Sequence, residues 1–156
     1  KLYRGQLSIL QAPNGWGKTT LMEAIAGVIP ISQGSIRINN RPIEELPPWE
    51  RVKLGLSLLQ ARDNTCLNLT VREALHLSRV RKVPPTLKKL LGKKISHLSG
   101  GEKQKLAMVC AIEKGHYLLL DEPFSALDEF EVGHSFQQII KLQKTLCFVA
   151  IPMSVC

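Results

Sequence analysis

The sequence predicts an α/β fold: a mainly parallel sheet flanked by helices, with a small helical insertion. Three observations carry this reading. The apolar stretch Leu7–Leu10 leads into a glycine-rich loop and then into a helix-like run, Leu21–Ala26. The run from His116 to Leu120 ends in two adjacent acids, Asp121 and Glu122, and reads as a strand buried on both faces. Strand-like and helix-like segments alternate along the chain, which calls for parallel strands joined by crossover helices.

In chain order, Tyr3–Gln6 reads as a turn into the first strand, and the first helix stops near Gly27, close to Pro30. Ser35–Ile38 alternates polar and apolar as a half-buried strand, and Asn39–Pro42 turns it. Pro47-Pro48 opens a short helix, because proline suits a first helical turn. Gly55–Leu59 is a second buried strand, ending at Gln60. Residues 61–97 differ in character and form the predicted helical insertion. Thr70 with Glu73 three residues later makes a capping box that starts a helix, and Pro84-Pro85 is expected to break it. The lysines of Lys88–Lys94 read as a solvated face. Ser99-Gly100-Gly101 precedes a run with helical apolar spacing, so backbone N–H groups gather at another helix start. After the acid pair, Glu129–Lys144 reads as a helix and Leu146–Ile151 as a last strand, stopped by Pro152.

Bulk composition narrows the function classes. Hydrophobic content of 44% and charged content of 22% are ordinary for a globular domain, and 156 residues suffice for one with a sizeable core. No apolar run approaches the roughly 20 residues of a membrane span. The formal charge of +8 is compatible with nucleic acid or an anionic membrane surface, but the basic residues are dispersed, with only modest clusters at Arg79–Lys82 and Lys88–Lys94, and no aromatics interleave with them. Nucleic acid is therefore not expected as a partner. The four cysteines show no C-x-x-C pair; Cys110 and Cys147 lie in apolar runs and read as small buried hydrophobes in a reducing cytoplasm.

The richest stretch is Ala12-Pro13-Asn14-Gly15-Trp16-Gly17-Lys18-Thr19-Thr20. It follows a strand and opens a helix, the context in which G-x-x-x-x-G-K-[ST] binds phosphate, with Ala12 in place of the first glycine. Glycines let successive N–H groups point inward around an anion, and the helix N-terminus adds partial positive charge. Asn14, Gly15, Trp16, Gly17, Lys18, Thr19 and Thr20 are the candidate nucleotide-binding residues. Lys18 would reach the β- and γ-phosphates and Thr19 would ligate Mg²⁺. Trp16 either contacts nucleotide or lies on the surface. The acid pair at the carboxyl end of its strand sits where α/β folds place ligands, and would be costly there without a cation.

Taken together, these motifs resemble the nucleotide-binding domain of ABC transporters, a P-loop NTPase fold, over nearly the whole chain. The resemblance rests on Ala12–Thr19 as Walker A, Gln60 as the Q-loop glutamine, Leu98–Gln104 as the LSGGQ-type signature, Leu118–Glu122 as Walker B and Ser125–Asp128 as the D-loop. Residues 1–156 then form a single ATP-binding domain with the insertion at about 61–97. The resemblance implies ATP hydrolysis with Mg²⁺, in which Glu122 polarises water, Lys18 and Gln60 complete the catalytic group, and Thr19, Gln60 and Asp121 serve the metal. It also implies a head-to-tail dimer. There Ser99, Gly100, Gly101 and Glu102 close over the ATP of a second copy, Asp128 makes a dimer contact, and an integral membrane permease is the partner at the cytoplasmic face. The Gln60–Val71 region loosely resembles subunits serving amino-acid uptake.

Three departures shape the expectations. The family's first strands and its adenine-stacking aromatic should precede Tyr3, so the chain is either a compact member or a fragment. Ile151 or a neighbour stands where the switch histidine is expected; losing such a group would slow hydrolysis by roughly 10²–10³-fold. Trp16 replaces a small residue. A non-catalytic nucleotide-binding module is the second reading, and a soluble ABC protein acting on ribosomes or DNA the third.

Overall fold

The computed structural model describes residues 5–60, 66–125, 127, 132–133, 139 and 146–153. Among these, the main sheet has four strands, all parallel, in the order β1 (Leu7–Ala12), β6 (Leu146–Pro152), β5 (Tyr117–Asp121) and β4 (Leu56–Leu59). A separate two-stranded antiparallel ladder joins β2 (Arg37–Ile38) to β3 (Arg41–Pro42). The helices α1 (Lys18–Ala26), α2 (Pro48–Lys53), α3 (Val71–Leu77), α4 (Pro85–Lys88) and α5 (Gly100–Lys114) accompany them.

The sheet is buried on both faces because its central strands carry apolar residues at consecutive positions, not at alternate ones, up to Asp121 at the end of β5. Leu118, Leu120, Cys147 and Val149 pack with Leu59 against Ala107, Met108 and Ala111 of α5. Their neighbours Leu119 and Ala150 face the other way, against Met22 and Ala26 of α1. This is the three-layer arrangement that a continuous apolar run implies. Burial of its thiol pushes Cys147 up to about 12, and burial also raises Cys110, so both behave as small hydrophobes. Cys66 is exposed.

Residues 66–97 build their own core on α5, with Val71, Leu75, Leu87, Leu90, Ile95 and Leu98 around Leu106. The expected capping box is present: Thr70 Oγ1 accepts from Glu73 N–H at 3.3 Å and Glu73 Oε2 accepts from Thr70 N–H at 2.7 Å. The lysines at 88, 89, 93 and 94 are exposed while Leu87 and Leu90 turn inward, as a solvated face requires.

Three local expectations are corrected. The helix begun at Thr70 ends at Leu77, well before Pro84-Pro85; Ser78 caps it and Arg79 reverses the chain at φ 56°. Pro85 instead starts α4 as its first residue. Asn39 and Asn40, at φ 50° and 64°, form the hairpin turn by themselves, and Arg41-Pro42 belongs to the returning strand. β6 also continues through Pro152, which an edge-ward carbonyl partner does not forbid: Ala12 O accepts from Met153 N–H at 3.1 Å. The predicted helix 129–144 and Cys156 lie essentially outside the described residues.

Candidate nucleotide site

β1 delivers the glycine loop to the carboxyl edge of the sheet, and α1 leaves from it. Gly15 and Gly17 take φ of 82° and 80°, a conformation that costs glycine nothing and most other residues 1 kcal/mol or more, on the order of the penalty for a left-handed residue. With Gly17 as N-cap and no side chain capping it, the first N–H groups of α1 stay available to a ligand. An open cleft of about 390 Å³ lies over this turn, lined by Asn14, Gly15, Gly17, Lys18, Thr19, Thr20 and Glu122.

Lys18 is only 6% exposed. Its Nζ donates to Ala12 O and Pro13 O at 3.0 Å each and to Asn14 Oδ1 at 3.5 Å, and it lies 3.9 Å from Glu122 Oε1. The ammonium is thus folded into the loop that curls around it. Thr19 Oγ1 donates to Asp121 Oδ2 at 2.7 Å. Asp121 is fully buried, and its other oxygen, Oδ1, has no hydrogen-bond partner among the described residues. An orphaned buried carboxylate oxygen beside a hydroxyl is a donor set suited to a hard divalent cation that keeps most of its waters. The Mg²⁺ expectation fits these residues.

Glu122 is held at φ 45°, an uncommon conformation for a residue other than glycine, by its own N–H bonding to Ala150 O at 2.9 Å. The next corner is fixed from α5: Gln104 Nε2 donates to Pro123 O at 3.0 Å. Sequence reasoning missed Gln104. It shares a helical face with Ala107 and Ala111, which enter the core, but its partner is far away in sequence. Arg51 was missed too: it is buried and donates to four carbonyls, those of Ala24, Ile25, Glu44 and Leu46, at 2.8–2.9 Å.

Other candidate residues fall at varied distances from this centre. Gln60 closes β4 and donates to Glu23 Oε1 at 3.3 Å, one helical turn beyond Thr19. Trp16 is 75% exposed and does not line the cleft. Ser99, Gly100, Gly101 and Glu102 are not brought to the cleft either; they start α5. There Ser99 Oγ accepts from Glu102 N–H at 3.2 Å and Glu102 Oε2 accepts from Ser99 N–H at 2.8 Å. The Ser99 N–H holds the Glu102 carboxyl below its ordinary range, helped by the charges of Lys93 and Lys105. Asp128 lies outside the described residues. Beside Glu122, a second hollow of about 240 Å³ is lined by Phe124, Ser125, Ile151 and Pro152. Ile151 pairs with Gln11 and stands between the glycine loop and the acid pair without a polar group to offer either.

Comparison with known proteins follows the same lines. The chain is 35% identical over 158 residues to the probable branched-chain amino acid transport ATP-binding protein LivF of Archaeoglobus fulgidus, covering 92% of this chain and 67% of that protein. It is 34% identical over 164 residues to the molybdate/tungstate import ATP-binding protein WtpC of Thermococcus kodakarensis, covering 95% and 49%. With the thiamine import ATP-binding protein ThiQ of Vibrio parahaemolyticus the identity is 36% over 138 residues, covering 80% and 59%. The chain therefore spans between 49% and 67% of the length of these relatives. A solved nucleotide-free ATP-binding cassette from an ABC transporter superposes with a TM-score of 0.81 at 20% identity, covering 99% of this chain and 73% of that one. An ATP binding subunit of an ABC transporter gives 0.82 at 23%, covering 97% and 70%. These structures speak for the fold, a P-loop NTPase cassette with a parallel sheet between helices. Residues 1–125 match the ABC transporter family itself, and the chain belongs to that family.

Proposed function

We propose that this chain binds and hydrolyses Mg-ATP as the energy-coupling subunit of an ABC transporter, peripheral on the cytoplasmic face of a membrane and bound to a separate permease. Residues 1–156 then belong to one ATP-binding domain. The observation that carries the proposal is the meeting of Lys18, Thr19, Asp121 and Glu122 at one edge of the sheet, with a single oxygen of Asp121 unpartnered. The relatives bear names of ATP-binding proteins of several import systems, so the family likeness supports transport without naming a cargo.

Phosphoryl transfer asks a protein mainly for positioning and charge stabilisation. Asn14–Thr20 offer N–H groups and the Lys18 ammonium to the β- and γ-phosphates. Thr19 and Asp121 would hold Mg²⁺, with Gln60 near enough to α1 to respond to it. The ion would neutralise charge developing on the transferred phosphoryl group. Glu122, at the rim of the cleft, orients and deprotonates the attacking water. Ser99, Gly100, Gly101 and Glu102 lie apart from their own cleft, which supports a head-to-tail dimer in which they meet the nucleotide of a second copy; Asp128 is the proposed dimer contact.

The test is phosphate release from Mg-ATP by this chain beside Glu122→Gln. A general base contributes roughly 10²–10⁴-fold, so the variant should lose at least two orders of magnitude while still binding ATP in calorimetry. Release at equal rates from both would remove Glu122 from this role. One observation favours a second reading, a nucleotide-binding module with impaired catalysis: Ile151 lines an apolar hollow where a γ-phosphate donor is expected. Under that reading the parent releases phosphate only at background, and Ile151→His raises the rate by roughly 10²-fold or more.

A further inference from the structure

The chain's positive charge is segregated. Residues 61–97 hold nine of its 21 Lys and Arg residues and two of its 13 acids, a net of +7 against +8 for the whole chain. The remaining 119 residues are close to neutral. Eight of these basic residues are described, Arg72, Arg79, Arg81 and Lys82 on and after α3, and Lys88, Lys89, Lys93 and Lys94 on and after α4, and all eight are exposed. None of them forms an ion pair among the described residues. The one described acid in the segment, Glu73, is committed to the N–H and hydroxyl of Thr70.

The fold keeps these charges close together. Thr70 bridges Lys94 in antiparallel fashion, Val71 N–H bonds to Lys93 O and Arg72 N–H to Leu91 O, so Arg72 is laced beside Lys93 and Lys94 along one backbone seam. α3 is seven residues long, about 10 Å, which is about one Debye length at 0.1 M salt. Arg72, Lys93 and Lys94, held side by side at this seam, therefore act on an approaching anionic surface in concert. Apolar side chains stand among them: Leu67 and Leu77 are 52% and 63% exposed, and a groove of about 330 Å³ between Val80, Val83, Pro84, Val109 and Ile112 opens beside Lys82.

We propose that this basic, leucine-studded face of the helical insertion binds the surface of an anionic membrane. Three points favour lipid over a polynucleotide. No Phe, Tyr or Trp occurs in residues 61–97, so there is no platform for bases to stack on. Exposed leucines suit the boundary between headgroups and acyl chains. And the binding needs only a sheet of negative charge, not a groove. The inference does not depend on the nucleotide site; the transport reading only supplies the setting in which a membrane is at hand.

The test is co-flotation of the chain with phosphatidylcholine vesicles, with and without about 30% phosphatidylserine, a fraction chosen to give the negative surface potential of a cytoplasmic leaflet. Binding is expected only with phosphatidylserine and should vanish at about 0.5 M salt. Lys88→Gln with Lys89→Gln should weaken it by about fivefold per residue, roughly 25-fold in all. Arg37→Gln with Arg41→Gln removes the same charge from the β2–β3 hairpin and should cost less than about twofold if position matters more than net charge. Equal binding to neutral vesicles, or equal losses in the two double variants, overturns the proposal. So does a duplex oligonucleotide that binds with the same Lys88/Lys89 dependence and displaces the chain from vesicles. ATP affinity of the Lys88/Lys89 variant, measured in parallel, separates failure here from failure of the nucleotide reading.

Discussion

The hydroxyl of Thr19, in the first turn of α1, donates a 2.7 Å hydrogen bond to the buried carboxylate of Asp121 at the end of β5. These residues are 102 positions apart in the chain; Asp121 ends β5, while Thr19 follows β1, and β6 lies between those two strands in the sheet. The bond closes the site from beneath and aligns the two groups that would face a cation. Thr19→Ala leaves a fully buried carboxylate with neither oxygen paired among the described residues. It should lower stability by roughly 1–3 kcal/mol in the absence of ligand, read from urea unfolding. ATP affinity in the variant should become the same with and without Mg²⁺. A Mg²⁺ dependence identical to the parent's would take Thr19 out of the metal site.

Gln104 is the partner of the Pro123 carbonyl, one residue beyond the proposed base. Gln104→Leu keeps the volume and removes the donor, so the carbonyl is left buried and unbonded. A loss of about 1–3 kcal/mol follows, or roughly 2–12 °C in melting temperature for a chain of this size. If the leucine variant melts with the parent, the 3.0 Å contact contributes no net stability.

Acid sensitivity should be traceable to the start of α5. The Ser99 N–H, with Lys93 and Lys105 nearby, holds Glu102 below its unfolded value of 4.5. Because the folded value is the lower one, ionised Glu102 favours the fold above pH 4.5, and that contribution is lost as pH falls through the folded value. Glu102→Gln retains an acceptor but cannot change charge. The parent should therefore melt above the variant at pH 7, with the gap narrowing as pH falls below 4.5. A gap that stays constant across this range would assign the box no electrostatic part.

Much of the frame was legible because its determinants are local. A strand, two glycines and a Lys-Thr pair announce the loop within a dozen residues. Thr70/Glu73 and Ser99/Glu102 announce their helices within four. What escaped depends on partners far away in sequence. Nothing near Arg51 says that its guanidinium will turn inward, and Gln104 looks like any polar helix residue until Pro123 is placed against it. The end of α3 escaped for another reason: Arg79 adopts a left-handed turn without glycine or asparagine to signal it, and the nearest breaker, Pro84, drew the boundary too far along. Trp16 was read two ways, and its exposure places it at the surface of the chain. The +8 charge reads as dispersed when only local clusters are weighed, although a count over residues 61–97 already shows its concentration; the structure adds that the eight described basic residues there are all exposed.

The four carbonyls gathered by Arg51 have a mechanical consequence. Two of them, Ala24 O and Ile25 O, are the negative end of the helix whose positive end meets the cleft. The guanidinium ties that far end to the 44–46 segment and to α2, so α1 behaves as a lever clamped at its tail. The clamp thus fixes the tail of the helix on which Glu23, the partner of the Gln60 amide, lies one turn beyond Thr19.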